Sequence, residues 1–378
     1  MLRPPKLKEL SFLVYGLGLS GRSVVNFFFF FSIKNFKVWD DKKTNVHKKY
    51  RSKNLIHTIN KVDYIVLSPG ISLLKKKILS KFRKKIITDI DLFNLKKIKN
   101  SFVIIETSSF QLSHSKFICP DYALFLNFSN DHLDWHGDKN QYLNSKLKIF
   151  DLQKEKNFAV INKNLKKEFI KNKFLGKLLF PKIKDYRKIK KKIKNDYLTS
   201  NINEENMSFV YTLSKLLKIS EKSFFKAMKS FKGLSHRFEI FLKKGNITFI
   251  NDSKATSFPA AASALCSLKN VYWILGGLPK KNDKFKLSKI KKNIIKCYLI
   301  GKNINFFKNQ IKGRIDFSIT KNLRNSIIKI SKDIELQKHI NKYILLSPGA
   351  ASYDQFENFE KRGEEFKRLC KKYVRKFI

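Results

Sequence analysis

The chain has 378 residues, enough for two or three domains, and 43% of them are hydrophobic, which excludes global disorder. With 80 Lys and Arg against 30 Asp and Glu, its net charge of +50 points first to a polyanionic partner. Lysine is spread through every segment and Phe, Ile and Asn are inflated beside it, so the bias reads as A/T-rich codon drift, and no specific nucleic acid partner is expected.

In chain order, Phe12–Tyr15 reads as a strand ending in Gly16-Leu-Gly18-Leu-Ser-Gly21, followed by a helix and a second strand, Phe36–Trp39, that ends in Asp40-Asp41. This is a βαβ unit with G-x-G-x-x-G and an acid about twenty residues on. The apolar run Val24–Phe31, with five consecutive Phe, is too short for a membrane span and is expected to be the buried face of that helix, so no membrane partner is expected. Strand Tyr64–Leu67 closes with Ser68-Pro-Gly70, and the first domain is expected over residues 1–93.

After a short linker, the run Phe102–Ile105 reads as a strand that delivers Glu106 to its carboxyl edge. Tyr122–Phe128 is expected to bring Asn127, Asp131 and His132 to the same edge, with Lys146 following. A lysine-heavy stretch contains one further strand, Ala159–Asn162, and helical periodicity spans Asn203–Ser230 before Gly233. This gives a second domain over 94–234 and a third over 235–378. The third carries strands at 247–251, 271–275, 297–300 and 343–346, each leading into small or polar residues.

Three chemical signals stand out. The glycine fingerprint lets a helix N-terminus approach a pyrophosphate, and by itself it leaves NAD or FAD, a UDP-sugar, or a tight turn without ligand all open. Glu106 and His132 at strand ends, with Lys146 nearby, suit a hard divalent cation if the lysine is modified. The four cysteines, Cys119, Cys266, Cys297 and Cys370, form no C-x-x-C pair and fit a reducing compartment.

Glu106-Thr-Ser-Ser-Phe-Gln111, Asn127-Phe-Ser-Asn-Asp-His132 and Lys146 together resemble the Mur ligases. So do His236-Arg-Phe-Glu239, Asn251-Asp-Ser-Lys-Ala-Thr256, Ile274-Leu-Gly-Gly277 with Lys280, and Leu346-Ser-Pro-Gly-Ala-Ala-Ser352 running on to Phe359 and Gly363. The last signatures match the branch that adds D-glutamate to UDP-N-acetylmuramoyl-L-alanine. The resemblance implies a cytoplasmic, monomeric α/β ligase of peptidoglycan precursor synthesis. It would have three domains: a Rossmann-like domain for the UDP-sugar, a central ATPase-like sheet, and a Rossmann-like domain for the amino acid.

Carried over by position, Gly16, Gly18, Gly21, Asp40 and Ser68 would hold the UDP moiety, and Ser108 and Gln111 would lie near the muramyl-alanine. Glu106, His132 and a carbamylated Lys146 would bind Mg2+, supported by Asn127 and Asp131. Asn203 and Asn206 would contact adenine, Arg237 the phosphates of ATP and Asp252 its ribose. Lys254, Thr256, Lys280, Ser352 and Phe359 would frame D-glutamate. The implied chemistry makes an acyl phosphate from ATP, which the amine of D-glutamate then attacks.

One departure is large. The family's G-x-x-x-x-G-K-[ST] loop belongs between the first domain and Glu106, where this chain has only Asn94–Ser101. Gly176-Lys177 and Gly301-Lys302 do not replace it, since neither is followed by Ser or Thr. Severely impaired ATP turnover is therefore expected. The alternative is a UDP-muramyl-peptide or UDP-sugar binding relic of the ligase.

Overall fold

The computed structural model describes residues 7–42, 48–95, 102–128, 132–280, 283–335 and 341–377. Compactness divides the chain into two units, Met1–Pro181 and Lys182–Ile378. The α/β class expected from the sequence is observed in both.

The first unit holds two parallel sheets. β1 (Phe12–Tyr15), β2 (Phe36–Trp39), β3 (Tyr64–Leu67) and β4 (Ile86–Ile87) form one in the order β2-β1-β3-β4. All four residues of β1 are buried, as a central parallel strand covered on both faces requires. Helix Leu19–Phe30 packs Val24, Val25 and Phe28 onto this sheet. Phe29 and Phe30 point outward, 44% and 80% exposed, so the five-Phe run is not wholly a buried face. At about 100° per residue, consecutive positions go round a helix and one face cannot take them all.

The second sheet is β5 (Tyr122–Phe125), β6 (Phe158–Ile161) and β7 (Lys177–Leu179), in that order. The expected strand Phe102–Ile105 is not formed: residues 102–108 have no regular structure. Phe102, Val103, Ile104 and Ile105 are 91%, 51%, 96% and 42% exposed. A parallel strand apolar on both faces is stable only between sheet neighbours and under helices. β5 is the edge of its sheet among the described residues, and the short interval before Phe102 cannot supply another strand with its crossover helix.

The second unit opens with helices. The span predicted as one helix over 203–230 is two, Glu204–Leu216 and Glu221–Ser230, because Ser220 caps the second by accepting the Ser223 amide at 3.2 Å. A six-stranded sheet follows, made of β8 (Glu239–Lys244), β9 (Ile247–Asn251), β10 (Val271–Gly276), β11 (Ile294–Ile300), β12 (Phe317–Lys321) and β13 (Lys342–Leu346). Its order is β12-β11-β10-β13-β9-β8, parallel except for the β8–β9 hairpin. β8 and β12 escape the sequence reading because both are half-exposed edge strands without a continuous apolar run. The chain passes to opposite sides of the sheet from β10 and β13, so their carboxyl ends flank the crevice where doubly wound sheets bind ligands.

Candidate functional site

The glycine fingerprint closes the carboxyl edge of the first sheet. Gly16 adopts φ +94° and donates its amide to the Trp39 carbonyl at 2.8 Å. A Cβ on Gly21 would sit 1.8 Å from the Gly16 carbonyl oxygen, so only glycine lets the helix start this close to the strand. Gly18 precedes the helix with no side-chain cap and open space where its Cβ would be. Ser68 Oγ donates to the Gly16 carbonyl at 2.8 Å. Asp40 accepts from the Leu17 and Lys42 amides at 2.6 and 2.9 Å, so its carboxylate braces the turn itself. Asp41, given no role by the sequence, pairs with Lys76 at 2.7 Å and accepts from Tyr15 Oη at 3.0 Å. The five positions expected to hold the UDP moiety therefore share one edge.

Farther along the same unit, Ser108 and Gln111 form a capping box on helix Ser109–His114. Gln111 Nε2 also donates to Asp89 Oδ1 at 2.9 Å. His132 takes the left-handed conformation (φ 53°), which turns the chain into helix Leu133–His136, and its ring lies 4.8 Å from Phe110 and 6.0 Å from Tyr142. Lys146 Nζ stands 5.3 Å from the Tyr142 ring, so both His132 and Lys146 contact Tyr142. Glu106 lies on the exposed irregular run, and Asn127 is exposed too. Asp131 lies outside the described residues. Among the described residues no three His, Cys, Asp or Glu side chains converge as a metal site.

Two histidines beside this cluster were missed by the sequence reading. His136 is buried, with Nε2 3.0 Å from Ser109 Oγ and Nδ1 3.3 Å from Ser145 Oγ. The Ser145 hydroxyl donates to the Gln141 carbonyl at 2.7 Å, so its only proton is used. His136 must then carry its proton on Nδ1 and accept from Ser109 at Nε2. His114 is buried with neither ring nitrogen hydrogen-bonded among the described residues, and burial, helped by Arg83 and Lys148, pushes its pKa down to about 4. Only the spacing Asp-His-Leu-Asp-Trp-His hinted at His136, and nothing local marked His114.

In the second unit the predicted residues gather at the carboxyl edges of β9, β10 and β13. Asp252, just after β9, is buried and accepts from the Phe238 amide at 3.1 Å and Ser347 Oγ at 2.7 Å. Burial raises its pKa to about 7 despite those bonds and the charge of Arg237, which is itself exposed. Lys254 Nζ lies 3.9 Å over the ring of Phe359, the first residue of helix Phe359–Tyr373. Thr256 is half-buried in the same turn, Lys280 half-buried in the loop after β10, and Ser352 buried after β13.

Arg362, unassigned by the sequence, ties these pieces together. Its Nε donates to Ser253 Oγ at 3.0 Å and its Nη2 to the Ser253 and Ala350 carbonyls at 2.9 and 3.0 Å, while Ser253 Oγ donates to the Phe359 carbonyl at 2.8 Å. The turns after β9 and β13 and the last helix are thus fixed to one another. Gly277 is required beside it, since a Cβ there would meet the Ala351 carbonyl oxygen at 2.3 Å. Asn203 is buried and donates Nδ2 to the Tyr197 carbonyl at 2.8 Å, leaving Asn206 exposed one turn on.

Parallel sheets whose carboxyl edges carry a glycine turn, an imidazole–lysine cluster and a braced cationic crevice define a multi-domain α/β protein of ligand-binding type. Residues 54–229 match the Mur ligase middle domain. The chain is 31% identical to the UDP-N-acetylmuramoylalanine–D-glutamate ligase of Rickettsia prowazekii (strain Madrid E), over 95% of this chain and 97% of that one. It is 28% identical to the ligase of the same name from the Wolbachia of Brugia malayi, over 97% of each. Among solved structures, Thermotoga maritima MurF in complex with ADP (TM-score 0.50, 14% identity, 97% of each chain) and MurC from the same organism (TM-score 0.50, 13% identity, 96% and 99%) share the fold. The chain belongs to the Mur ligase family, and its curated relatives along the whole length are the D-glutamate-adding members of peptidoglycan synthesis. The Rickettsia alignment is 438 positions long and exceeds this chain's 378 residues by 60, so at least 60 positions of the relative face gaps in this chain.

Proposed function

We propose that this chain keeps the substrate and amino-acid sites of a UDP-N-acetylmuramoyl-L-alanine:D-glutamate ligase and turns over ATP poorly. The observation that carries this reading is the contrast between two sets of residues. On one side, Lys254 stands over Phe359, and Arg362 ties together the turns that carry Lys254 and Ser352, which supports a retained amino-acid site. The G-x-x-x-x-G-K-[ST] loop that would cradle a triphosphate is missing from the sequence. The domains we assign are 1–93 for the UDP-sugar, 94–234 for ATP and metal, and 235–378 for the amino acid, a division favoured by the three separate sheets. Cytoplasmic location and a monomeric state belong to the same reading. Among the described residues no helix is long and apolar enough to cross a membrane.

On this reading the edge of Gly16, Gly18, Gly21, Asp40 and Ser68 receives the UDP group at a helix N-terminus. Lys254 and Lys280 supply cations, and Thr256 and Ser352 hydroxyls, for the two carboxylates of D-glutamate, with Phe359 holding the Lys254 stem in place. Asn203, Asn206, Arg237 and Asp252 are assigned to the nucleotide. Glu106, His132 and Lys146 are assigned to Mg2+; as an amine Lys146 is a cation, and only carbamylation makes the set chemically suitable. A bound magnesium would neutralise phosphate charge. For ATP itself the residues fit only in part, since nothing replaces the backbone cradle, the lysine and the hydroxyl of the lost loop.

The test is Mg2+-dependent phosphate release with UDP-N-acetylmuramoyl-L-alanine, D-glutamate and ATP. Losing a single such contact costs about a hundredfold or more, so turnover at or below roughly a hundredth of a typical ligase is expected. Ligase-like turnover would refute the impairment. The exposed run Phe102–Ile105 favours a second reading, a non-catalytic UDP-muramyl-peptide or UDP-sugar binding protein. Calorimetry showing UDP-sugar binding without ATP binding would select it.

A further inference from the structure

The outward half of the five-Phe run has a function to account for. Helix Leu19–Phe30 starts at the carboxyl edge of the first sheet and runs back for 12 residues, about 18 Å, to the opposite edge, so its last turn lies far from the glycine turn. There the Phe29 ring sits 5.6 Å from Phe36 and 5.3 Å from Tyr50, which stack on each other at 4.5 Å. Phe30 projects beyond them, 80% exposed. Lys34, Lys37, Lys48 and Lys49, neighbours of these rings along the chain, are exposed, and Lys49 Nζ stands 5.9 Å from the Tyr50 ring. The sequence carries no Asp or Glu from Leu10 to Trp39, nor from Lys42 to Val62, and Asp40 and Asp41 are engaged at the other edge of the sheet.

We propose that this edge docks onto an anionic lipid bilayer. Exposed phenyl rings enter the headgroup–acyl boundary, while lysines on their rim meet anionic headgroups, the combination that peripheral proteins use without spanning. The lysines gather around the exposed rings at the β2 end of this edge, while its two acids, Glu9 and Asp63, stand before β1 and β3, Asp63 held by the Ser11 amide and hydroxyl at 2.8 and 2.7 Å. A nucleic acid would require clustered arginines or a groove, and the patch has one arginine, Arg51, which bridges to Val38 at the edge of the sheet. The glycine turn faces away and stays open to ligand while the protein is docked.

The experiment is co-sedimentation of the full chain, at physiological salt, with phosphatidylcholine vesicles and with vesicles also containing phosphatidylglycerol. Phe30→Ser and Phe29→Ser/Phe30→Ser are compared with the control Ile170→Ser/Leu175→Ser, which removes apolar groups that are 57% and 61% exposed elsewhere at equal charge. The expected result is binding that requires phosphatidylglycerol, falls about tenfold in the double variant, falls less in Phe30→Ser and is unchanged in the control. Because Phe30 is exposed, its single variant keeps the fold and decides the case should the double variant misfold. No binding, binding indifferent to the Phe substitutions, an equal loss in the control, or displacement of vesicles by single-stranded DNA at the same salt would each overturn the proposal.

Discussion

The C-terminal sheet and the middle sheet are built on the same parallel principle and reach opposite ends. In the C-terminal sheet β10 has neighbours on both sides and helices over both faces, and all six of its residues are buried. In the middle sheet β5 is the edge among the described residues, and the Phe102–Ile105 run that should lie beside it stands in solvent. The two apolar runs are comparable in composition. What differs is the supply of neighbours: a buried parallel strand depends on flanking strands and crossover helices contributed by other parts of the chain.

The comparison breaks most directly in the core. Trp273→Ala, in fully buried β10, also loses the Trp273 Nε1 bond to the Ser347 carbonyl at 2.7 Å and should cost about 3–5 kcal/mol in urea unfolding. A loss under about 1 kcal/mol would show that this sheet is as loosely held as the middle one.

The two units should also answer pH with opposite signs. Asp252 has a pKa raised to about 7, so the native state holds a proton that the unfolded chain has released. Its contribution is fully present below the ordinary aspartate pKa and is lost as pH rises through about 7. His114 has a pKa lowered to about 4, so the unfolded chain takes up the proton first. Its contribution is present above the ordinary histidine pKa and is lost as pH falls toward about 4. Each effect is on the order of a few kcal/mol and both fall between about pH 4 and 7, where Asp252→Asn should remove a loss of stability with rising pH and His114→Phe should remove a gain. A slope shifted in the same direction by both substitutions would refute the assignment.

At neutral pH, His114→Phe should stabilise by about 1 kcal/mol, because it replaces two buried nitrogens with no hydrogen-bond partner among the described residues by carbon in contact with Trp135. Thermal unfolding reads this directly, and destabilisation would show that those nitrogens are satisfied in solution. The smallest effect is expected at the exposed run. Phe102→Ser with Ile104→Thr should change unfolding free energy by less than about 0.5 kcal/mol while reducing aggregation seen by light scattering. A loss of several kcal/mol would mean that the run is buried after all.

Much of the fold was legible because it rests on local signals. The glycine turn, the apolar central strands and the turn residues after β9, β10 and β13 all announce themselves within a few positions. The edge strands β8 and β12 did not, since partial exposure removes the continuous apolar run that marks a buried strand. In the candidate site, Lys254, Phe359 and Ser352 were singled out by resemblance, whereas Arg362 was one basic residue among eighty until its three backbone and hydroxyl partners were seen. His114 and His136 were hidden for the same reason, because burial and hydrogen bonding belong to the environment and not to the residue type.

By itself the sequence determined the family, the α/β class, the positions of the turns after the central strands and the absence of a phosphate loop, because each is written in contiguous residues or fixed spacings. Only the tertiary structure decided that Phe102–Ile105 has no strand to join, that Phe29 and Phe30 face outward, and that one guanidinium ties the turns after β9 and β13 to the last helix. Those outcomes depend on which distant segments arrive alongside, and the free energy of burial is set by neighbours that sequence adjacency does not specify.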